Sequence, residues 1–296
     1  MARENTVILF GAVEQIRIRR RDDTGEPVVA LAQISTYRTN RDPGGHNSGM
    51  EVYEISVMTK DRAVMKDMAC WEQYDVVEVK GVLTTDTVMK AAYCEHCGEK
   101  QAAEGQMTYV TPIAAKLRER AGDRNAAMKT VSENREFSNI VKLFGTLVRE
   151  PKLVRSRTGM DITQYQIAMN RKYRIAQDQP DRKTDYPWVK AYGVNADTDK
   201  TFLQTGSEIL IDGFLRGRTY GRRAVCPHCG KEYIWTDRTT EIIPYSVEYL
   251  TGMKTVEQAD LDRLKWAEQM NRDLGWILGT DILSPDDIDA GADPAP

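Results

Sequence analysis

The chain contains itself twice, and no other feature constrains its fold as tightly. Asn5-Thr-Val-Ile-Leu-Phe-Gly11 recurs as Asn139-Ile-Val-Lys-Leu-Phe-Gly145, with five of seven positions identical. VVEVKGVL, around Gly81, is echoed by EILIDGFL, around Gly213. Cys94 follows Gly81 by 13 residues and Cys226 follows Gly213 by 13, each opening a Cys-x-His-Cys-Gly segment. Pro112 and Pro244 each lie 31 residues beyond their glycines. The offset between copies is 134 at the front and 132 from the glycine onward. The chain therefore reads as a tandem duplication of one unit, and its fold has to be one that two copies can share.

Each copy reads as a small all-β unit. Val7, Leu9, Gly11 and Val13 alternate with their neighbours, as do Val141, Leu143, Gly145 and Leu147, and period-two alternation is the mark of a half-buried strand. Further strands are expected near 28–37, 52–59, 76–83 and 109–113, and near 162–170, 188–193, 208–215 and 241–247. Polar segments, RDPGGHNSG and AQDQPDRKTD, separate the second and third strands. Five short strands with one polar excursion fit a five-stranded Greek-key barrel, the OB-fold; a plain β-sandwich fits the strand count too. The expected organisation is all-β, with a first barrel over 1–113 and a second, the main binder, over 139–250. Between them, 114–138 is Ala-rich and charged without a clear apolar stripe, and reads as a part-helical linker. A helical segment follows over 251–284, with Val256, Leu261, Leu264, Ala267 and Met270 in an approximate stripe. Residues 285–296 are acidic and are expected to be disordered.

The second copy carries a family resemblance. WVKAYGVNADTDKTFLQTGSEILIDGFLRGRTY resembles the bacterial-type single-stranded DNA-binding proteins. In that family an aromatic-Gly strand end precedes a short Ala-containing helix, followed by Leu-x-x-Gly-x-x-apolar-x-apolar-x-Gly-x-Leu-x-x-Arg-x-Tyr. The matching positions here are Tyr192, Gly193, Ala196, Leu203, Gly206, Ile209, Ile211, Gly213, Leu215, Arg218 and Tyr220. The resemblance covers roughly 139–223 and implies an OB-fold that binds single strands without catalysis. It does not extend to the Cys-x-x-Cys segments, to a second barrel in one chain, or to the family's terminal Phe, since this chain ends Ala-Pro.

Charge agrees with a polyanion site in the second copy. The net charge of the whole chain is −3, but it divides into −4 over 1–113, +2 over 114–138, +5 over 139–250 and −6 over 251–296. Single strands are held by cations along the phosphates and by aromatic faces under the bases. Side chains alternate across a strand, so Trp188, Lys190 and Tyr192 share one face of the expected third strand, opposite Val189 and Ala191. Basic runs surround it: Arg149, Lys152, Arg155 and Arg157 in the first hairpin loop, Arg171, Lys172, Tyr173 and Arg174 after strand two, and Arg216, Arg218 and Tyr220 after strand four. The first copy offers Glu54, Ser56 and Met58 at the corresponding strand, which points to weaker binding or a structural role.

The cysteines point to metal. Two thiolates in Cys-x-x-Cys-Gly can chelate one ion, and a closed structural zinc site needs four ligands. Neither segment holds a second pair, so Cys94, Cys97, Cys226 and Cys229 are expected to share one Zn2+ where the two hairpins meet; pairing between molecules is the alternative. His96 and His228 read as exposed loop residues, and Cys70 as a core thiol.

Nothing in the chain has the spacing of a catalytic constellation: there are three histidines and no phosphate-cradling glycine loop. The start, MARENTVILFGAV, has too short an apolar run for a secretory leader, and a cytoplasmic location without a membrane span is expected. The expected role is non-enzymatic binding of single-stranded DNA, with replication or recombination proteins as further partners of the acidic tail, and homo-oligomers are compatible with it. A zinc-stapled scaffold and a single-stranded RNA binder are the alternatives.

Overall fold

The computed structural model describes residues 4–38, 51–155, 159–171, 173–175 and 184–278. The strands expected at the front of each copy form two closed barrels. The first is made of β1 (Asn5–Arg20), β2 (Pro27–Tyr37), β3 (Val52–Thr59), β4 (Asp75–Tyr93) and β5 (Lys100–Arg120), with α1 (Arg62–Met68) between β3 and β4. After α2 (Arg124–Glu133) come β6 (Asn139–Leu147), β7 (Lys152–Arg155), β8 (Asp161–Asn170), β9 (Thr184–Asp185), β10 (Trp188–Tyr192), α3 (Val194–Phe202), β11 (Glu208–Val225) and β12 (Glu232–Thr251). Pairing runs β1-β2-β3-β5-β4 and back to β1, with β3–β5 parallel. It runs β6-β8-β10-β12-β11 and back to β6, with β10–β12 parallel. Both cycles are five-stranded OB-type barrels.

The shared sequence positions have shared structural reasons. Asn5 and Asn139 are buried latches: each side chain bonds both backbone groups of a leucine on the fourth strand, Leu83 at 2.9 and 2.7 Å and Leu215 at 2.8 and 2.9 Å. Gly81 and Gly213 sit where β4 and β11 bulge, and a Cβ would lie 2.4 Å from the Thr111 carbonyl oxygen and 2.3 Å from that of Ile243. Only glycine lets the strands approach so closely.

The barrels are joined through their first strands. β1 and β6 run antiparallel with Val7 opposite Val141, Asn5 opposite Leu143 and Leu9 opposite Asn139. Exchanging each residue for its counterpart in the other copy returns the same pairs, so the junction is an approximate two-fold. Val7, Leu9, Val141 and Leu143 are buried in one continuous core. Away from the junction each barrel grips the other's long hairpin. Gly217 passes so close to β3 that a Cβ would meet the Glu54 carbonyl oxygen at 2.3 Å, and the Asp185 carboxylate accepts from the Thr85 amide at 2.8 Å. Tyr53 stacks on Phe214 with centroids 5.7 Å apart.

Three features differ from the sequence reading. First, β4–β5 and β11–β12 do not stop at the barrel rim; they run on as two-stranded arms to the cysteine turns. Second, the segment expected to be a linker is packed. Residues 114–120 belong to β5, and α2, capped by Asp123 on the amides of Asn125 and Ala126, buries Ala127, Met128 and Val131 against Ala12 and Val76. Third, Cys70 is exposed, with its thiol donating to the Asp67 carbonyl, so it is not a core residue. A second unit begins at Lys254; in it α4 (Val256–Leu278) leaves Leu261, Leu264 and Met270 exposed. The acidic segment 285–296 lies outside the described residues. Among the described residues no helix is long and apolar enough to cross a membrane.

One of the second barrel's buried acids is held by tyrosines alone. Asp199 of α3 is fully buried and accepts from Tyr165 Oη at 3.0 Å and Tyr249 Oη at 2.5 Å. Burial raises its pKa from 3.8 to about 6, with the two tyrosines pulling the other way. A group whose folded pKa is raised stabilises the fold below its unfolded pKa and loses that contribution as pH rises through the folded value, here from about 4 to about 6. Asp199→Asn removes the titration. Its melting temperature relative to wild type should climb across that window, by the equivalent of roughly 2–3 kcal/mol. A parallel pair of melting curves from pH 4 to 8 would refute this.

Candidate nucleic-acid interface and cysteine cluster

Alternation on β10 sends Val189 and Ala191 into the core and leaves Trp188, Lys190 and Tyr192 half-buried on the outer face. Opposite them β11 brings Arg216, Arg218 and Tyr220, and β12 brings Thr239 and Glu241. Of these, Trp188, Lys190, Arg218, Tyr220, Thr239 and Glu241, with Gln164 of β8, line a groove of about 220 Å3. The aromatic faces carry guanidinium groups: Arg149 lies 5.9 Å from the Trp188 centroid and Arg216 4.9 Å from that of Tyr192, whose hydroxyl it also contacts. The floor is Glu241, a buried carboxylate that sequence reading did not single out. It binds Lys190 Nζ at 2.6 Å and Arg216 at 2.9 Å, with Arg218 at 3.7 Å. Burial pushes its pKa up, but the bonds from Lys190 and Arg216 outweigh this and hold it below the usual carboxylate value.

The other expected contacts divide. Lys152 and Arg155 lie on the exposed edge strand β7 rather than in a loop, and Arg155 is near Asp161 at 3.4 Å. Tyr173 and Arg174 are exposed. Arg157 and Lys172 lie outside the described residues. Arg171 is withdrawn from the surface: it is buried and forms a bidentate pair with Asp185 at 2.6 and 2.8 Å. Its partner is 14 residues away across β8–β9, which makes the pair invisible to local reading.

The first barrel presents a different face. Val57 pairs with Val110 as Val189 pairs with Ile242, which makes Ser56, Met58 and Lys60 the counterparts of Trp188, Lys190 and Tyr192. The expected trio was Glu54, Ser56 and Met58, two residues earlier on the same face; either way no aromatic stands there. The counterpart of Glu241 is Tyr109, a buried ring whose hydroxyl donates to Asp86 at 2.5 Å.

The arms end together. Cys94, Cys97, Cys226 and Cys229 place their four sulfurs within 4.8 Å of one another. Across the arms Cys94 and Cys229, and Cys97 and Cys226, are each 3.7 Å apart. Four thiolates about 2.3 Å from a tetrahedral zinc stand roughly 3.8 Å apart, so the donor set fits such an ion and could hold a metal. Each turn has the same backbone frame, with the glycine amide donating to the first cysteine's carbonyl at 2.8 Å in both. Burial pushes the Cys94 thiol up, but the amides of His96 and Cys97 and the neighbouring thiols bring it down to about 6. Tyr233, Trp235, Ala92 and Ala224 pack beneath the sulfurs. His96 Nε2 lies 2.8 Å from the Glu232 carbonyl oxygen, outside the sulfur cluster, and His228 is exposed. Behind the cluster Lys90 of one arm pairs with Asp237 of the other, and Arg222 donates to the Glu104 carbonyl at 3.1 Å.

A model of the Single-strand binding protein family matches residues 138–226. Single-stranded DNA-binding protein 1 of Streptococcus pyogenes is 33% identical over 84 residues, 28% of this chain and 63% of that protein. The Single-stranded DNA-binding protein of Thermotoga maritima is 30% identical over 95 residues, 31% of this chain and 67% of that one. The chain spans just over three fifths of the length of the first relatives matched, 63% and 61%. A crystal structure of the wild-type single-stranded DNA binding protein from Thermus aquaticus superposes with a TM-score of 0.55 over 86% of this chain and 97% of that one. At 18% identity this likeness is one of fold.

Proposed function

Because the chain belongs to the single-strand binding protein family, we propose that it binds single-stranded DNA, without catalysis, in the groove of its second barrel. The observation that carries this is the convergence of Trp188, Lys190 and Arg218 on one groove, with Arg216 and the Tyr192 ring joined to it through Glu241. Bases stack on the rings while phosphates meet the cations. The first barrel, with Ser56 and Met58 where the second has Trp188 and Lys190, serves mainly to buttress. In this reading the cysteine cluster holds one structural Zn2+ per chain, which adds no chemistry beyond joining the arms. The protein works in the cytoplasm in replication, recombination or repair, and the acidic segment 285–296 recruits partner proteins.

Fluorescence anisotropy with single-stranded DNA, duplex DNA and RNA at two salt concentrations tests the proposal. Affinity for single-stranded DNA should be highest and largely independent of sequence. It should fall by about 0.7 log unit per decade of salt for each phosphate contact. A flat salt response or a preference for duplex would exclude the groove as the site. Preference for RNA would favour the alternative ligand.

A further inference from the structure

A buried carboxylate at the bottom of a groove for a polyanion runs against the groove's own electrostatics. Glu241 is 4% exposed, so it cannot swing into solvent when a phosphate arrives. Its oxygens hold two cations closely, Lys190 at 2.6 Å and Arg216 at 2.9 Å, and a third loosely, Arg218 at 3.7 Å. The three differ in freedom: Lys190 and Arg216 side chains are 13% and 22% exposed, Arg218 51%. The first barrel supplies an internal comparison. There the counterpart of Glu241 is Tyr109, and the counterparts of Lys190, Arg216 and Arg218 are Met58, Thr84 and Asp86. The carboxylate and the cations are present together in one barrel and absent together in the other.

We infer that Glu241 is a positioning residue that sets the affinity of the groove: it keeps Lys190 and Arg216 as fixed supports for the aromatic platform and leaves Arg218 as the cation that transfers to phosphate. The two tightly held cations are neutralised in part by the floor. Arg216 stays against the Tyr192 ring, where it shapes the stacking surface. Arg218, weakly held and half in water, exchanges its carboxylate for a phosphate at little cost. The groove thus binds fewer phosphates than its cation count suggests, which keeps binding reversible along a strand. This rests on the reading of the groove as the single-strand site.

The test is the salt dependence of oligo-dT binding by the full chain. Glu241→Gln should free cations for phosphate, raising affinity and steepening the slope by about 0.7 per cation released. One added contact corresponds to roughly eightfold at about 50 mM salt relative to 1 M. Arg218→Ala should flatten the slope by about 0.7. Glu241→Gln combined with Lys190→Met removes one of the released cations and should give a slope about 0.7 below that of Glu241→Gln alone; if Glu241→Gln alone fails to fold, a slope of this pair below that of wild type overturns the inference. A Glu241→Gln protein that is folded but binds with unchanged slope, or a slope in Arg218→Ala equal to wild type, overturns the inference. The reading of the site fails separately, if wild type does not bind oligo-dT or binds it without dependence on Trp188.

Discussion

Metal analysis of the purified protein should give one zinc per chain, and Cys226→Ser/Cys229→Ser should give none. The two cysteine turns leave their barrels at the same distance from the bulge glycine, and the barrels are related by the approximate two-fold at Val7–Val141. Identical arms on a two-fold must either meet or diverge together. Here they meet, with sulfurs at tetrahedral spacing and no fifth donor within the cluster among the described residues. Without the ion, four thiols converging over Tyr233 and Trp235 have little to hold them. The remaining links between the arm ends are a small apolar cluster around Ala92, Tyr233 and Trp235 and polar contacts such as Arg222 to the Glu104 carbonyl. Loss of metal should therefore loosen the arms: Trp235, 7% exposed in the joined form, should gain solvent contact and shift its fluorescence to the red. The barrels should survive, since their core does not include the arm tips. Structural zinc sites contribute on the order of 10 kcal/mol when they fold a peptide outright. Joining arms that are already paired strands needs much less, so the melting of the barrels should move little while the arm signal changes fully. Two ions per chain, or metal retained in the double variant, would refute the shared site.

The cysteine cluster was legible in the sequence because a duplication turns spacing into geometry: equal glycine-to-cysteine distances put equal turns at equal places. The barrels were legible for the same reason, their inward residues alternating against an apolar core. What could not be read is what the arms pack against. Past the barrel rim the two arms face each other instead of a core, and between them lie Lys90 of β4, Arg222 of β11 and Asp237 of β12 in ion pairs. Paired charges carry no hydrophobic periodicity, so the strands read as ending near 83 and 215 although they continue to Tyr93 and Val225. The α2 segment escaped because its buried stripe is only Ala127, Met128 and Val131, too short to stand out among charged and polar neighbours. Arg171 and Glu241 illustrate the limit for site residues. Each looks like any charged residue in or beside a strand, and only the tertiary pairing separates a withdrawn cation from an offered one and a solvated acid from a groove floor.

Trp188→Ala should cost about 1–3 kcal/mol of affinity for oligo-dT, roughly 5- to 150-fold, with little change in salt slope. The second half of that statement separates stacking from charge. A base leaving an aromatic face releases no counterions, whereas losing a cation lowers the slope by about 0.7 per contact. Arg149→Ala, which removes the guanidinium lying over Trp188, should therefore flatten the slope where Trp188→Ala does not. Trp188→Phe should recover much of the loss, because the ring face is what the base needs. Tyr192→Ala has two effects at once: it removes a ring, and it takes away a partner of Arg216. Its loss should therefore combine less than additively with that of any Arg216 variant, as expected for residues in one network. Neither change should unfold the barrel. Val189 and Ala191, on the opposite face of the same strand, keep the core contacts, and the ladder to β8 is made by backbone. Equal affinity in a folded Trp188→Ala/Tyr192→Ala protein would remove the second barrel's outer face as the site of binding.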